Sequence, residues 1–222
     1  MTYGSGLDVL RDIDLTLQAG SFHVVTGRSG AGKTSLLRLI ASSKPPARGQ
    51  LVLFGQDAAL LRPPARATLR RRIGLIFQDF RLLDHLTAFD NVALPLRIAG
   101  AGDKEIESSV GEMLDWLGLD QLARERPPTF SMGQRQLVAA ARAIVTRPAL
   151  LLADEPISHL DPDRADRLIR LFLELNRMGT AILLATHQVG PLRAHPFRQL
   201  LVHEGTLWPA GPASWQAMER TA

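Results

Sequence analysis

Hydrophobic positions along the chain fall into short blocks with two different periods. Ile13, Leu15 and Leu17 alternate with Asp14 and Thr16, the pattern of a half-buried strand over 13–17. FHVVT (22–26), IGLIF (73–77), the run at 149–153 and the run at 180–186 are nearly continuous apolar segments of strand length, as expected of parallel strands covered on both faces. QLVLFG (50–55) reads as a strand and turn, and two more short strands are expected at 199–203 and 205–208. Helical spacing fills the intervals: from Lys33 to about Ala41, from Pro63 and Pro64 through Arg72, from Ser131 to about Thr146, over 163–177 and near 213–220. Strands alternating with helices predict an α/β fold with a mainly parallel sheet. The middle of the chain differs. Asp103 reads as a helix cap, with Ile106, Val110, Met113, Leu114 and Leu117 following at helical spacing, and Pro127 and Pro128 then interrupt. The expectation is one domain over 1–222, with a core of 1–79 and 136–222 and an inserted, strand-free helical subdomain at 80–135.

Composition narrows the classes. A chain of 222 residues with 45% apolar content can bury a substantial core. No apolar run reaches the ~18 residues that suggest a membrane span. The N-terminal MTYGSGLDVLRD lacks the basic and apolar blocks of a signal peptide, so a cytosolic location is expected. The absence of cysteine excludes disulfide and thiolate–metal schemes. The formal charge of +4 is carried almost wholly by arginine, since Lys33, Lys44 and Lys104 are the only lysines. These arginines are scattered, and the one dense run, Arg70–Arg72, reads as a solvated helix face; no nucleic-acid partner is expected.

Between the strand at 22–26 and the helix from Lys33 lies Gly27-Arg28-Ser29-Gly30-Ala31-Gly32-Lys33-Thr34, which fits G-x-x-x-x-G-K-[ST] in the strand–turn–helix context that the motif requires. Glycines let backbone N–H groups wrap phosphates, and the helix N-terminus adds positive potential. Lys33 reaches the outer phosphates in such a loop, the Thr34 hydroxyl serves Mg²⁺, and Ser35 continues the helix start.

The stretch PALLLADEPISHLD (148–161) raises a second question, because its strand ends on adjacent carboxylates, Asp154 and Glu155. A charge at a core edge is costly unless it is paired or metal-bound. In parallel α/β sheets ligands lie beyond the carboxyl ends of strands. The strand therefore delivers Asp154 to the metal of a bound nucleotide and leaves Glu155 to polarise an attacking water.

Further segments make the chain resemble the ATP-binding cassette family over nearly its whole length. FSMGQ (130–134) falls at the family's LSGGQ signature, Gln78 at the Q-loop, Ser158-His159-Leu160-Asp161 at the D-loop and His187 at the switch histidine. Tyr3 falls where the family places an adenine-stacking aromatic residue. The resemblance implies a P-loop NTPase fold with an N-terminal antiparallel β part. ATP and Mg²⁺ are the implied cofactors, with Thr34, Gln78 and Asp154 toward the metal and Glu155, His187 and Gln78 toward catalysis. It also implies a head-to-tail homodimer that sandwiches ATP, with Ser131, Gly133, Gln134 and Asp161 facing nucleotide held by the second copy. Independently, Ser131 and Gln134 form an S-x-x-Q capping box at a helix start. Departures from the family pattern are Met132 for the first signature glycine, His159 in the D-loop, Gln188 after the histidine, and the two residues ahead of Tyr3 where the family has a first strand.

Within that family, LLADEP (151–156), LRRRIGLIFQDFRLL (69–83), NVALPLRIAGA (91–101) and LNRMGTAILLATH (175–187) resemble the FtsE-type ATPases of cell division. That likeness implies an FtsX-like integral membrane partner, a place on the cytoplasmic face of the inner membrane reached through that partner, and Phe80, Leu82 and Leu83 near the groove for its coupling helix. The alternative for those three residues is the core of the helical lobe. Lipoprotein-release and macrolide-export ATPases are the nearest rivals. A nucleotide-dependent module with negligible turnover is a further one, motivated by Met132.

Overall fold

The computed structural model describes residues 9–42 and 45–210. Tyr3 and the helix expected near 213–220 lie outside them.

The central sheet is built from the predicted apolar runs. Six strands, β1 (Phe22–Thr26), β4 (Ile73–Ile76), β5 (Leu150–Asp154), β6 (Ala181–Ala185), β7 (Arg198–His203) and β8 (Thr206–Ala210), stand in the order β4-β5-β6-β1-β7-β8. All pairings are parallel except β7 with β8. A separate antiparallel hairpin joins β2 (Val52–Leu53) and β3 (Gln56–Asp57), shorter than the strand expected over 50–55. Every residue of β1, β5 and β6 is buried. Side chains alternate between two cores, as a period of two requires. Val24, Leu151, Ala153, Ile182 and Leu184 face one; Val25, Leu150, Leu152 and Leu183 face the other. Each fully buried aliphatic side chain contributes about 1.5–3 kcal/mol.

Six helices are described: α1 (Lys33–Ser42), α2 (Pro63–Arg70), α3 (Ala88–Ala99), α4 (Asp103–Trp116), α5 (Met132–Ile144) and α6 (Pro162–Arg177). Helix α1 covers one sheet face through Leu36, Leu37 and Ile40. The other face carries α5 and α6, and α6 lays down Ala165, Leu168, Ile169, Phe172 and Leu175 as an apolar stripe. Helix α5 comes very close to β4. A Cβ on Gly74 would sit 2.3 Å from the Ala143 carbonyl, so only glycine fits in that strand position. Residues 80–135 contain no strand, and their helices α3 and α4 share one hydrophobic cluster with α5 and the sheet. Helix α5 runs across the border expected at residue 136.

Two local expectations fail, and one helix has no counterpart among the predicted elements. Ile13, Leu15 and Leu17 are half-buried against the second core while Asp14 and Thr16 are exposed, so the alternation is real, yet 13–17 finds no ladder partner among the described residues and forms no strand. Asp103 is the first residue of α4 and Gly102 is its cap. Helix α3 went unpredicted because Pro95 sits inside it and argues against helix. Its ends compensate. The Thr87 side chain accepts a hydrogen bond from the Asp90 N–H, and Gly100 closes the other end in a left-handed conformation.

Candidate functional site

The phosphate loop joins the end of β1 to the start of α1. Gly27, Gly30 and Gly32 all adopt positive φ, a conformation open to glycine, and this turns the chain tightly into the helix N-terminus. Gly27 is also under a steric limit, since a Cβ there would stand 2.3 Å from the Val202 carbonyl of β7. Lys33 Nζ donates to the carbonyls of Gly27, at 2.7 Å, and Arg28, at 3.1 Å, and faces no carboxylate within ion-pair distance among the described residues. It is a cation held on backbone oxygens at the mouth of an N–H-lined turn, and a phosphate suits that environment better than any protein group nearby.

Strand β5 carries its two carboxylates out of the sheet beside this loop. The Thr34 hydroxyl donates to Asp154 Oδ2 at 2.8 Å, joining the start of α1 to the end of β5. Asp154 is buried, and burial raises its carboxyl above the usual range. The Thr34 hydrogen bond opposes the shift, Glu155 adds to it, and Lys33 and Arg38 work against it. This is a carboxylate short of positive charge. Thr34, Asp154, Gln78, Asp79, Leu37 and Arg38 line a cavity of about 170 Å³ at this point. Gln78, exposed just past β4, makes no hydrogen bond among the described residues.

Glu155 points elsewhere. Its backbone has φ +47°, a strained conformation for a side-chain-bearing residue that costs about 1–3 kcal/mol. The carboxylate accepts hydrogen bonds from the Thr186 hydroxyl at 2.9 Å and the His187 N–H at 3.1 Å. His187 Nδ1 lies 2.8 Å from the same oxygen, so the tautomer with the proton on Nδ1 is assigned. The carboxylate is buried while the imidazole is 62% exposed, which leaves the ring reachable from solvent and the acid oriented.

A second group lies at the start of α5. Ser131 and Gln134 form the predicted capping box: Ser131 Oγ accepts from the Gln134 N–H, and Gln134 Oε1 accepts from the Ser131 N–H. Gly133 is packed against the loop after β5, where a Cβ would approach the His159 carbonyl to 2.9 Å. Asp161 caps α6 by accepting from the Arg164 N–H. No hydrogen bond links Ser131, Gly133, Gln134 or Asp161 to residues 27–35 among the described residues. The structure thus assembles Lys33, Thr34, Asp154, Glu155, His187 and Gln78 and leaves the α5 group apart. Phe80 is buried, Leu82 is half-buried against the core and Leu83 is exposed, so the three residues tied to a partner groove divide between the two readings. Sequence reasoning missed Thr186, which orients Glu155, and Arg38, which faces Asp154; adjacency to His187 and a one-turn spacing from Thr34 were the available signals.

A phosphate loop feeding a helix, with carboxylates delivered beside it by the next strand but one of a parallel sheet, defines a P-loop nucleotide-binding protein. The family model described as ABC transporter matches residues 10–158. The chain belongs to that family, as an ABC-type ATPase. The cell division ATP-binding protein FtsE of Escherichia coli K12 is 41% identical over 205 residues, covering 92% of each chain. The methionine import ATP-binding protein MetN of Cereibacter sphaeroides is 39% identical over 210 residues, covering 94% of this chain and 60% of that protein. Among solved structures, a dimeric post-hydrolysis state of the ATP-binding cassette MJ0796 bound to ADP and Pi superposes with a TM-score of 0.84 at 29% identity, over 91% of both chains.

Proposed function

We propose that this chain is the ATP-hydrolysing subunit of an FtsEX-like complex on the cytoplasmic face of the inner membrane. ATP-driven closure of its homodimer acts there through an FtsX-like integral membrane partner to activate cell-wall hydrolysis in cell division. The observation that carries this reading is the 41% identity to FtsE along 92% of both chains. A second reading, the ATPase of a transport complex, draws on the 39% identity to a methionine import subunit. The lipoprotein-release and macrolide-export variants of it use the same chemistry.

Each residue has a role in this proposal. Backbone N–H groups of Gly27 to Lys33, with Arg28, Ser29, Gly30, Ala31 and Gly32 shaping the loop, hold the phosphates of ATP together with Thr34 and Ser35, and Lys33 trades its carbonyl partners for them. Tyr3 serves the adenine. The cavity offers oxygen donors from the Thr34 hydroxyl, the Asp154 carboxylate and the Gln78 amide, with Asp79 as a second carboxylate at its lining. No cluster of three His, Cys, Asp or Glu side chains occurs among the described residues. Such a hard, sparse oxygen set fits Mg²⁺, which takes its other ligands from phosphate and water. When bound there, the ion neutralises charge on the phosphates. Glu155, held by Thr186 and His187, orients the water that attacks the γ-phosphate and receives its proton. ATP and water become ADP and phosphate. Ser131, Gly133, Gln134 and Asp161 complete the site of the second copy, because a helix N-terminus offers N–H donors to that copy's γ-phosphate.

The test is to tag the chain in its source cell, solubilise membranes gently with ATP present, and identify by mass spectrometry what co-purifies. Recovery of an FtsX-like membrane protein with a cell-wall hydrolase activator is the expected result. Recovery of lipoprotein carriers, an importer permease or an export channel overturns the division reading in favour of transport.

A further inference from the structure

After β4 the chain reverses through two consecutive left-handed residues, Phe80 at φ +56° and Arg81 at φ +50°. Neither is glycine, and adjacent residues of this kind persist only where their surroundings hold them. Arg81 contributes through its own side chain, which pairs with Asp79 at 3.1 Å and lies over the Phe77 ring, and one distant side chain holds the turn from outside. Arg142, in the last turn of α5, donates from Nη2 to the Phe80 carbonyl and from Nη1 to the Arg81 carbonyl, each at 2.7 Å. The same Nη1 lies 3.5 Å from Asn91 Oδ1, and that oxygen accepts from the Leu83 N–H. Arg142 is half-buried and has no carboxylate within ion-pair distance among the described residues. Burial lowers its affinity for the proton, and the carboxyl end of α5 supplies the compensating negative potential. A guanidinium fork can meet two carbonyls at once, and an ammonium cannot do so in the same plane. The turn continues into a second contact: the Phe80 ring stands edge-on to His159, with centroids 5.6 Å apart at 73°. His159 lies in the loop after Glu155, and its carbonyl abuts Gly133 at the other end of α5.

We propose that Arg142 is a positioning residue for the reaction. Its guanidinium clamps the left-handed Phe80–Arg81 turn and, through Phe80 on His159, fixes the loop bearing Gln78 against the loop that follows Glu155. This rests on the role given to Gln78 under Proposed function. The exposed Gln78 side chain has no hydrogen bond of its own, so its aim is set by its backbone, and that backbone is anchored two residues away.

The experiment compares the full-length wild type with Arg142→Lys, Arg81→Gly and the double variant. Four quantities are read: backbone hydrogen exchange over residues 78–87, affinity for a fluorescent ATP analogue, and kcat and KM for ATP. Arg142→Lys is expected to speed exchange in that segment about tenfold and to lower kcat by a similar factor, the effect of losing one charge-assisted hydrogen bond. Analogue affinity and KM stay within about twofold. Arg81→Gly accepts positive φ without strain but also removes the pair with Asp79 and the contact with Phe77, so it is expected to restore part of kcat in the Arg142→Lys background. Unchanged exchange and kcat overturn the proposal. So does a fall in kcat that tracks analogue affinity and is not rescued by Arg81→Gly, since general packing damage gives that result. Wild-type turnover that is indifferent to Glu155→Gln overturns the functional reading instead, and the exchange data alone then decide the clamp.

Discussion

The nucleotide-facing rim of the sheet and the helical lobe are organised on opposite principles. At the rim, chemistry comes from neighbours in sequence: the loop from Gly27 to Thr34, the adjacent Asp154 and Glu155, and Thr186 beside His187. Three strand ends, those of β1, β5 and β6, bring these short pieces together, and few contacts beyond Thr34–Asp154 and Glu155–His187 are needed. The lobe is held by single polar side chains, one reaching far along the chain and one bridging neighbouring turns. Arg142 bonds to residues 61 and 62 positions away. Asn91, fully buried, accepts from the Leu83 N–H and donates to the Leu83, Leu86 and Thr87 carbonyls. A rim built of local motifs tolerates a change in the lobe's packing, whereas the lobe's aim at the rim depends on the buried bonds of Asn91 and the distant ones of Arg142.

The largest expected effects are at the rim. Glu155→Gln keeps the shape of the acid and removes its basicity, so turnover should fall about 10²–10⁴-fold with nucleotide affinity retained. Lys33→Ala should instead abolish nucleotide binding. Steady-state hydrolysis beside a binding titration separates the two. Normal affinity in Lys33→Ala would break the assignment of the loop, and unchanged turnover in Glu155→Gln would leave a nucleotide-dependent module in place of an enzyme.

In the lobe the corresponding loss is of stability. Asn91→Ala strands the Leu83 N–H and the carbonyls that now receive its amide, at about 3 kcal/mol in total. Urea unfolding should show this, with exchange in 83–87 accelerated. If the cost proves below about 1 kcal/mol, water replaces the amide and the lobe is less dependent on buried pairs than the contrast holds.

This division explains what could be read from the sequence. Parallel strands and the phosphate loop announce themselves, because apolar runs and a fixed glycine spacing are local, and Asp154, Glu155 and His187 follow strand ends that were already visible. The fold class and the order of the motifs were legible for that reason. Helix α3 was not, since Pro95 contradicts its apolar spacing, and only the tertiary setting of Asn91 and the two end caps explains why a helix forms. The strand at 13–17 was over-read: alternation specifies which side chains face the core and says nothing about a ladder partner. Arg142 looked like one more scattered arginine, and no local pattern marks a guanidinium whose partners are carbonyls some sixty residues away.

A smaller effect sharpens the rim's side of the comparison. Burial holds the Asp154 carboxyl above its ordinary value of 3.8, so the folded chain binds more protons than the unfolded chain in the window just above that value. The contribution is present in full below the unfolded value and is lost as pH rises through the raised one. Asp154→Asn keeps an acceptor for Thr34 and removes the charge. In the absence of nucleotide it should be more stable than wild type at about pH 7, by roughly 1 kcal/mol, while losing turnover. Thermal melts of both proteins from about pH 4 to 8 test this: Asp57 and Asp90, whose carboxyls are lowered, act on both curves alike, so a wild-type stability that gains on the variant with rising pH reverses the sign.

Met132 belongs to neither side and gives the smallest prediction. It opens α5 as a residue 51% exposed, next to Gly133, whose lack of a Cβ is needed against His159. The Met132 N–H is among the first-turn donors that no helix carbonyl satisfies, and in the dimer proposed above it is offered to phosphate. In that dimer an exposed thioether chain at this position crowds the phosphate. Met132→Gly removes that crowding at a cost to helix propensity of up to about 1 kcal/mol, reduced at a first-turn position that the Ser131–Gln134 box already fixes. ATP turnover should therefore rise, by a factor of about two to three, from easier closure, with melting temperature slightly lowered. An unchanged or lower rate means that the methionine folds aside on closure and packs against the second copy. The start of α5 would then work as a rigid part of the lobe, set by Arg142 at its far end more than by the residue at its tip.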